Sequence, residues 1–280
     1  MDGLKSPPPF ETEWTETAWY LVEKLRTKSP LIQCITNLVS MDITANILLS
    51  SGASPAMVHS IREIQDFTPR IDGLCINIGT ISEDWLPSML SAAEVARNSS
   101  IPWVLDPVAV SISEFRMKAC SDLLSMKPLV IRGNASEIIA LSNAFRLENS
   151  KGADSSHEST EAIDVAKSLS VSSGSVVAVT GAVDYVTDGT RVIGIRNGVP
   201  MLQKITATGC AVTALITAFV SVDPNRALEA TACALSIFAV ASEIGMEVAG
   251  GPGSLRMHLI DALYSLDQPT VRSRVRIFRV

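Results

Sequence analysis

Leu74-Cys75-Ile76-Asn77-Ile78 stops at Gly79, and Trp103-Val104-Leu105 stops at Asp106-Pro107. Between them, Ser82-Glu83-Asp84 opens a segment whose apolar residues recur at helical spacing to about Arg97. Short apolar runs of this kind read as buried strands, and a strand–helix–strand passage is the crossover that joins parallel neighbours. The rhythm extends in both directions. Leu31-Ile32-Gln33-Cys34-Ile35 reads as a strand, and Met41 to Ser51 as a helix closed by Gly52. Ala56-Met57-Val58 is a short strand. Leu129-Val130-Ile131 is a strand ending at Arg132-Gly133-Asn134 with a helix after it, and Val176-Val177-Ala178-Val179 ends at Thr180-Gly181. Asp188-Gly189, set between Tyr185-Val186-Thr187 and Thr190-Arg191-Val192-Ile193, is a hairpin signal that adds antiparallel strands. Thr208 to Leu266 is mostly helical. The expected fold is α/β, a mostly parallel central sheet flanked by helices, in one domain over 1–280. Residues 1–12 are expected to be a flexible N-terminus, and polar Glu148 to Ser159 a surface loop.

Composition narrows the function classes. Hydrophobic residues make up 47% of the 280 and aromatics only 5%, so the core is built from Ala, Val, Ile and Leu. The net charge of −6 argues against a nucleic-acid binder, whose usual footprint is a basic stripe. Cys34, Cys75, Cys120, Cys210 and Cys233 are scattered without a Cys-x-x-Cys pair and read as free thiols in a reducing compartment. The N-terminus has neither the apolar run of a signal peptide nor the Arg-rich helix of a transit peptide. The longest apolar run is taken as Ala211 to Val222, too short to span a bilayer. The expectation is a cytoplasmic protein with no membrane contact. His59, His157 and His258 are isolated, which argues against a zinc site or a Cys–His hydrolase built on Cys210.

The chemistry gathers at strand ends, where open parallel sheets bind ligands. Asn77 and Gly79 follow one strand and Asp106 the next. Arg132, Asn134 and Glu137 follow another, then Thr180 and Gly181. Ile205-Thr206-Ala207-Thr208-Gly209-Cys210 then runs into an apolar helix. A helix starting near Thr208 aims free backbone N–H groups and its positive dipole end at whatever precedes it, which favours an anion. Cys210, in that first turn, is expected to have a lowered pKa and thiolate character. One cation, two carboxylates, a hydroxyl and an amide nest are the set that phosphoryl transfer from a magnesium nucleotide needs. Arg132 can pair with phosphate oxygens, and Asp106 and Glu137 can hold Mg²⁺. Singly, each has a structural reading as well: Asp106 as a turn former, Arg132 and Glu137 as an ion pair, Thr180 as a cap. No Gly-x-x-x-x-Gly-Lys-Ser/Thr occurs, so this is not a P-loop enzyme.

Many short blocks in order carry a resemblance. They are Gln33-Cys34-Ile35-Thr36-Asn37, Gly52-Ala53-Ser54-Pro55-Ala56-Met57, Asn77-Ile78-Gly79-Thr80, Leu105-Asp106-Pro107-Val108, Ile131-Arg132-Gly133-Asn134-Ala135-Ser136-Glu137, Val179-Thr180-Gly181, Ala207-Thr208-Gly209-Cys210 and Gly251-Pro252-Gly253-Ser254. From Ser29 to Leu266 the chain resembles the hydroxyethylthiazole kinases of the ribokinase-like superfamily, plant members most of all. The resemblance implies ATP- and Mg²⁺-dependent phosphorylation of the primary alcohol of 4-methyl-5-(2-hydroxyethyl)thiazole in thiamine salvage. It also implies a homotrimer with active sites at subunit interfaces. Carried over, Met57 and Ala207 line the thiazole pocket and the Asn37 segment of a neighbour closes it. Arg132 and Thr180 contact ATP phosphates, while Asn134 and Glu137, with Asp106, resemble a magnesium-site motif. Cys210, with Thr208 and Gly209, stands where related kinases carry a catalytic Asp, and is expected to orient the hydroxyl and take its proton late.

The chain departs from the family at three places. Ala207 replaces the first glycine of Gly-Thr-Gly-Cys, Ala109-Val110-Ser111 replaces Gly-Ala-Gly, and Ala182 replaces the Glu of Thr-Gly-Glu-Val-Asp. Two other readings stay open at this point. One is a kinase of the same fold acting on hydroxymethylpyrimidine. The other is a catalytically weak ligand-binding relative, suggested by these alanines.

Overall fold

The computed structural model describes residues 9–149 and 160–280. In chain order the elements are α1 (Pro9–Lys28), β1 (Leu31–Ile35), α2 (Met41–Ser51), β2 (Ser54–Ala56), α3 (Ile61–Phe67), β3 (Gly73–Asn77), α4 (Trp85–Asn98), β4 (Trp103–Asp106), α5 (Glu114–Leu124) and β5 (Val130–Asn134). They continue with α6 (Ala135–Asn149), α7 (Thr160–Ser173), β6 (Val176–Thr180), β7 (Asp184–Thr187), β8 (Val192–Ile195), α8 (Thr208–Val222), α9 (Ala227–Val248), α10 (Pro252–Ser265), α11 (Gln268–Arg274) and β9 (Ile277–Arg279). The strands form one sheet in the order β2-β1-β3-β4-β5-β6-β7-β8-β9. The first six are parallel and the last three antiparallel.

Helices cover both faces because consecutive strand residues point to opposite sides. Cys75, Val104, Val130, Val176 and Ala178 pack with α1, α2, α8, α9 and α10. Leu74, Ile76, Trp103, Leu105, Ile131, Val177 and Val179 pack with α3 to α7. On α1, Trp14, Ala18, Leu21, Val22 and Leu25 make one apolar stripe that is almost wholly buried. Each large apolar side chain removed from water in this way stabilises the fold by about 1.5–3 kcal/mol before entropy is counted.

Helix α8 positions the site. Gly73, at the start of β3, lets its far end approach: a Cβ there would meet Thr217 at 3.1 Å and Ser221 at 3.2 Å. At the near end, Thr213 bonds Asp106. The helix therefore lies along β3 and β4 with its N-terminus at the carboxyl ends of the strands.

Several expectations need adjustment. β2 ends at Ala56, so Met57 and Val58 lie just past it; the Val58 carbonyl is taken by the Gln33 side chain at 2.9 Å rather than by a neighbouring strand. Of the expected flexible segment 1–12, residues 1–8 lie outside the described residues and 9–12 are the first turn of α1. Of the expected loop 148–159, residues 150–159 lie outside them and 148–149 end α6. Ala211 to Val222 is not the longest apolar run. The stretch from Pro224 to Val248 is long and apolar enough to cross a membrane by length and composition, but 83% of its apolar window is buried inside the protein. Its hydrophobicity serves the core between α8, α10 and the antiparallel strands.

Candidate active site

The parallel strands deliver their last residues to one rim, in register. Asn77 is opposite Asp106, and Asn134 is opposite Thr180. Chain order reverses between β1 and β3, and such a switch point opens a crevice beyond the strand ends. Asn37, two residues past β1, spans it: its Nδ2 donates to Asn77 Oδ1 at 2.8 Å and to Cys210 Sγ at 3.2 Å. Asn77 Nδ2 donates to Asp106 Oδ2 at 2.7 Å, and Thr213 Oγ1 donates to the same oxygen at 2.8 Å. Asp106 is completely buried, and its Oδ1 has no partner. Burial pushes its carboxyl up to about 6, against the pull of the Arg132 guanidinium and the two hydrogen bonds; the Glu137 charge adds to the rise.

A second group of residues faces the β5–β6 side. Arg132 Nη2 donates to Thr180 Oγ1 at 2.6 Å, and Nη1 stands 3.9 Å from Asp106 Oδ2. Gly209 allows the guanidinium to lie against the start of α8, since a Cβ there would come within 2.8 Å of Nη1. Ala207, with φ 63°, turns the chain into that helix. The Ala211 N–H is the donor that closes on the Ala207 carbonyl, at 3.0 Å. The N–H groups of Thr208, Gly209 and Cys210 precede it and belong to the open first turn. The Thr208 hydroxyl bonds the Leu202 and Ile205 carbonyls, both at 3.3 Å, so it braces the turn. From Arg132, Thr180 and Gly209 a cavity of about 490 Å³ extends between Val199, Leu202 and the Leu235–Phe238 face of α9. That size suits a small-molecule cofactor.

Asn134 and Glu137 form a capping box on α6. Asn134 Oδ1 accepts from the Glu137 N–H at 2.9 Å, and Glu137 Oε2 accepts from the Asn134 N–H at 2.9 Å. Ser136 also donates to Asn134 Oδ1, at 2.7 Å. The Asn134 side-chain oxygen is therefore engaged by the start of the helix. Glu137 Oε1 accepts from the Ala109 N–H at 2.9 Å, and the Glu137 side chain stays partly exposed. Among the described residues no three His, Cys, Asp or Glu side chains cluster as metal ligands. Asp106 and Glu137 are two of the carboxylates at the rim.

One further expectation changes. The Cys210 thiol is pushed up, not down: burial is the main cause, the Asp106 charge adds to it, and hydrogen bonds from Asn37 and Asn77 with the Arg132 charge oppose it without prevailing. The helix start alone does not set its protonation. Asn37 reaches Cys210 within the single chain. Ala109 and Ala207 occupy the left-handed region, with φ of 53° and 63°. Glycine adopts that region without strain, and alanine here fits the same turns. Met57 lies at the same rim, its carbonyl 3.1 Å from His59 Nδ1, while His59 stacks on Trp85. Thr213 and Asp184 were not anticipated. Thr213 sits inside an apolar helix run, where nothing local marks it. Asp184 lines the cavity and accepts from the Gly181 N–H at 2.9 Å, and burial raises it to about 6; the Asp of the Thr-Gly-x-x-Asp pattern was its available signal.

A sheet of this order, with cationic, hydroxyl and carboxylate side chains at its carboxyl rim, is a ribokinase-like fold. A pyridoxal kinase of Bacillus subtilis, solved as an ADP complex, shares this fold at a TM-score of 0.57 and 16% identity, over 81% of this chain and 98% of that one. A curated hydroxyethylthiazole kinase of Zea mays is 62% identical over 277 residues, 98% of each chain. The solved hydroxyethylthiazole kinase protein of Pyrococcus horikoshii superposes at a TM-score of 0.87 with 37% identity, covering 95% of this chain and 99% of that one. Residues 22–269 match the model of the hydroxyethylthiazole kinase family. The chain belongs to that family, and it is a kinase.

Proposed function

We propose that this chain, as one kinase domain, transfers the γ-phosphoryl group of ATP to the primary alcohol of 4-methyl-5-(2-hydroxyethyl)thiazole, yielding the thiazole phosphate and ADP for thiamine salvage. The observation that carries this reading is the division of the rim. Arg132, Thr180 and the cavity form one side, Asn37, Cys210 and the switch point form the other, and buried Asp106 lies between them.

ATP would lie in the cavity with its base between Val199, Leu202 and Phe238 and its phosphates toward Arg132, Thr180 and the amides of Gly209 and Cys210. The acceptor would lie between Met57 and Ala207 with its hydroxyl toward Cys210. The alcohol oxygen bonds to the γ-phosphorus as the bond from that phosphorus to the β-bridging oxygen breaks, and ADP leaves. Phosphoryl transfer of this kind is loose, so the alcohol needs little deprotonation beforehand, and positioning with charge stabilisation supplies the rate. Burial pushes the Cys210 thiol up, which disfavours the thiolate that would accept the proton. The thiol orients the hydroxyl, and the proton passes to the transferred phosphoryl group.

Mg²⁺ fits this site by charge. Asp106 and Glu137 crowd one another electrostatically, and one buried oxygen of Asp106 lacks a partner. These two residues would hold the ion, directly or through water, and the ion would neutralise phosphate charge. A cytoplasmic homotrimer accords with the family resemblance. Exposed Leu38, Val39 and Phe115 near the acceptor side supply apolar surface for a neighbour.

The test is ADP release with Mg-ATP and hydroxyethylthiazole, beside hydroxymethylpyrimidine and a control without acceptor. Thiazole-dependent ADP is the expected result. ADP that depends on the pyrimidine alone would overturn the substrate, and no acceptor dependence at all would overturn the transfer.

A further inference from the structure

One side chain outside the site ties its two halves together. Arg116, in the first turn of α5, donates from Nη1 to the Ile78 carbonyl at 3.0 Å and to the Val108 carbonyl at 2.8 Å. Its Nη2 donates to the Gly79 carbonyl at 2.8 Å. Ile78 and Gly79 follow β3; Val108 follows β4.

The first loop governs the acceptor side. Asn77 Oδ1 accepts from the Gly79 N–H at 2.9 Å as well as from Asn37. Gly79 presses on Asn37 so closely that a Cβ there would lie 2.8 Å from its Nδ2. A shift in the Gly79 backbone therefore shifts Asn37, and with it the contact to Cys210. The second loop governs the carboxylates. Asp106 precedes Pro107, and the Ala109 N–H holds Glu137. A guanidinium is the one side chain with a planar fork able to serve three carbonyls at once; an ammonium carries the charge without the fork.

We propose that Arg116 is a positioning residue for the transfer. By clamping the carbonyls of Ile78, Gly79 and Val108, it fixes the spacing between the Asn37–Cys210 pair and the Asp106–Glu137 carboxylates. It touches neither the reacting atoms nor the nucleotide cavity, and the inference rests on the preceding reading of the site.

The cap of α5 does not need the Arg116 side chain: the Ser113 hydroxyl accepts from the Arg116 N–H at 3.3 Å. A purely structural Arg116 would thus lower the melting temperature and leave the folded enzyme's kinetics intact. The positioning role predicts a different pattern. Arg116→Ala should bind ATP within about twofold of the parent by calorimetry, because none of the clamped carbonyls lines the cavity. Its kcat should fall by about 10- to 100-fold, the usual cost of loosening a supporting shell, and the KM for the acceptor should rise. Arg116→Lys should fall between the two. Millimolar guanidinium chloride, far below denaturing levels, should restore part of the kcat of Arg116→Ala by filling the vacated fork.

A folded Arg116→Ala with kcat within about threefold of the parent, or with ATP affinity lost in parallel with kcat, would overturn the proposal. If the alanine variant fails to fold, Arg116→Lys and Arg116→Gln carry the same readouts. Asp106→Asn and Glu137→Gln run alongside. Full activity in both would sink the site reading itself, whereas their inactivity beside fully active Arg116 variants would sink the clamp alone.

Discussion

Asp106→Asn should stabilise the protein while disabling it, and the gain should depend on pH. Asp106 is fully buried and its folded-state carboxyl sits near 6 instead of 3.8. The native state therefore binds this proton more tightly than the unfolded chain. The stability linked to Asp106 is fully present below the unfolded value and is lost as pH rises through the folded one. A gap of about two units corresponds to about 3 kcal/mol of penalty at neutral pH. Asn carries no charge to desolvate, and the value of about 6 already includes the attraction to Arg132, so the variant escapes this net penalty. Taking the difference between variant and parent cancels the contribution of Asp184, which titrates in the same range. The difference should grow by about 1–1.5 kcal/mol in the variant's favour between about pH 5 and about pH 7.5, and flatten above that. Denaturant titrations of both proteins at matched concentration and several pH values read it directly. A difference that stays flat across the window, or grows in the opposite direction, would show that Asp106 is solvated or held ionised, and the argument from burial would fail.

Gly209→Ala should drive the Arg132 guanidinium away from Thr180, since the new Cβ would lie 2.8 Å from Nη1. The loss of a charge-assisted contact of about 2 kcal/mol should weaken ATP binding roughly thirtyfold by calorimetry, and unchanged affinity would remove Arg132 from the phosphate site. Cys210, as a raised thiol, should react with iodoacetamide near neutral pH more slowly than free cysteine, measured by mass spectrometry. Cys210→Ser should keep kcat within about tenfold of the parent; fast alkylation with a rate inflection near pH 7 would restore the thiolate. Ala207→Gly relieves a left-handed strain of about 1 kcal/mol, but adds unfolded-state entropy of similar size, so the melting temperature should move little. Its signature should be a changed acceptor KM with the ATP KM unaltered, and the reverse pattern would place Ala207 on the nucleotide side.

The layers of the fold were legible because each parallel strand is a short apolar run closed by a polar or glycine residue. β1, β3 and β4 fall within a residue of where those runs end. The hairpin at Asp188-Gly189 was legible for the same reason, a turn chemistry that few other conformations accept. β2 slipped by two residues because it is an edge strand of three residues, and the Gln33 side chain takes the Val58 carbonyl. β9 left no local mark: its place beside β8 depends on contacts made across the whole chain.

At the site, the sequence by itself determined which groups reach the rim. Arg132, Thr180, Asp106 and Asn37 arrive there because the strand ends carry them, and the turn into α8 because that helix lies along β3 and β4. Their states were decided only by tertiary structure. Cys210 stands in a helix start that alone favours thiolate, yet burial and the Asp106 charge, brought from a distant strand, raise the thiol instead. Asn134 and Glu137 carry a metal-like spacing, and the folded chain also makes them the cap of α6. Arg116 and Thr213 acquire their parts solely by whom they meet. Residue identity and local period specify elements and the chemistry on offer. Desolvation, charge pairing and hydrogen-bond partners depend on distances between residues remote in the chain, and only the folded arrangement sets those.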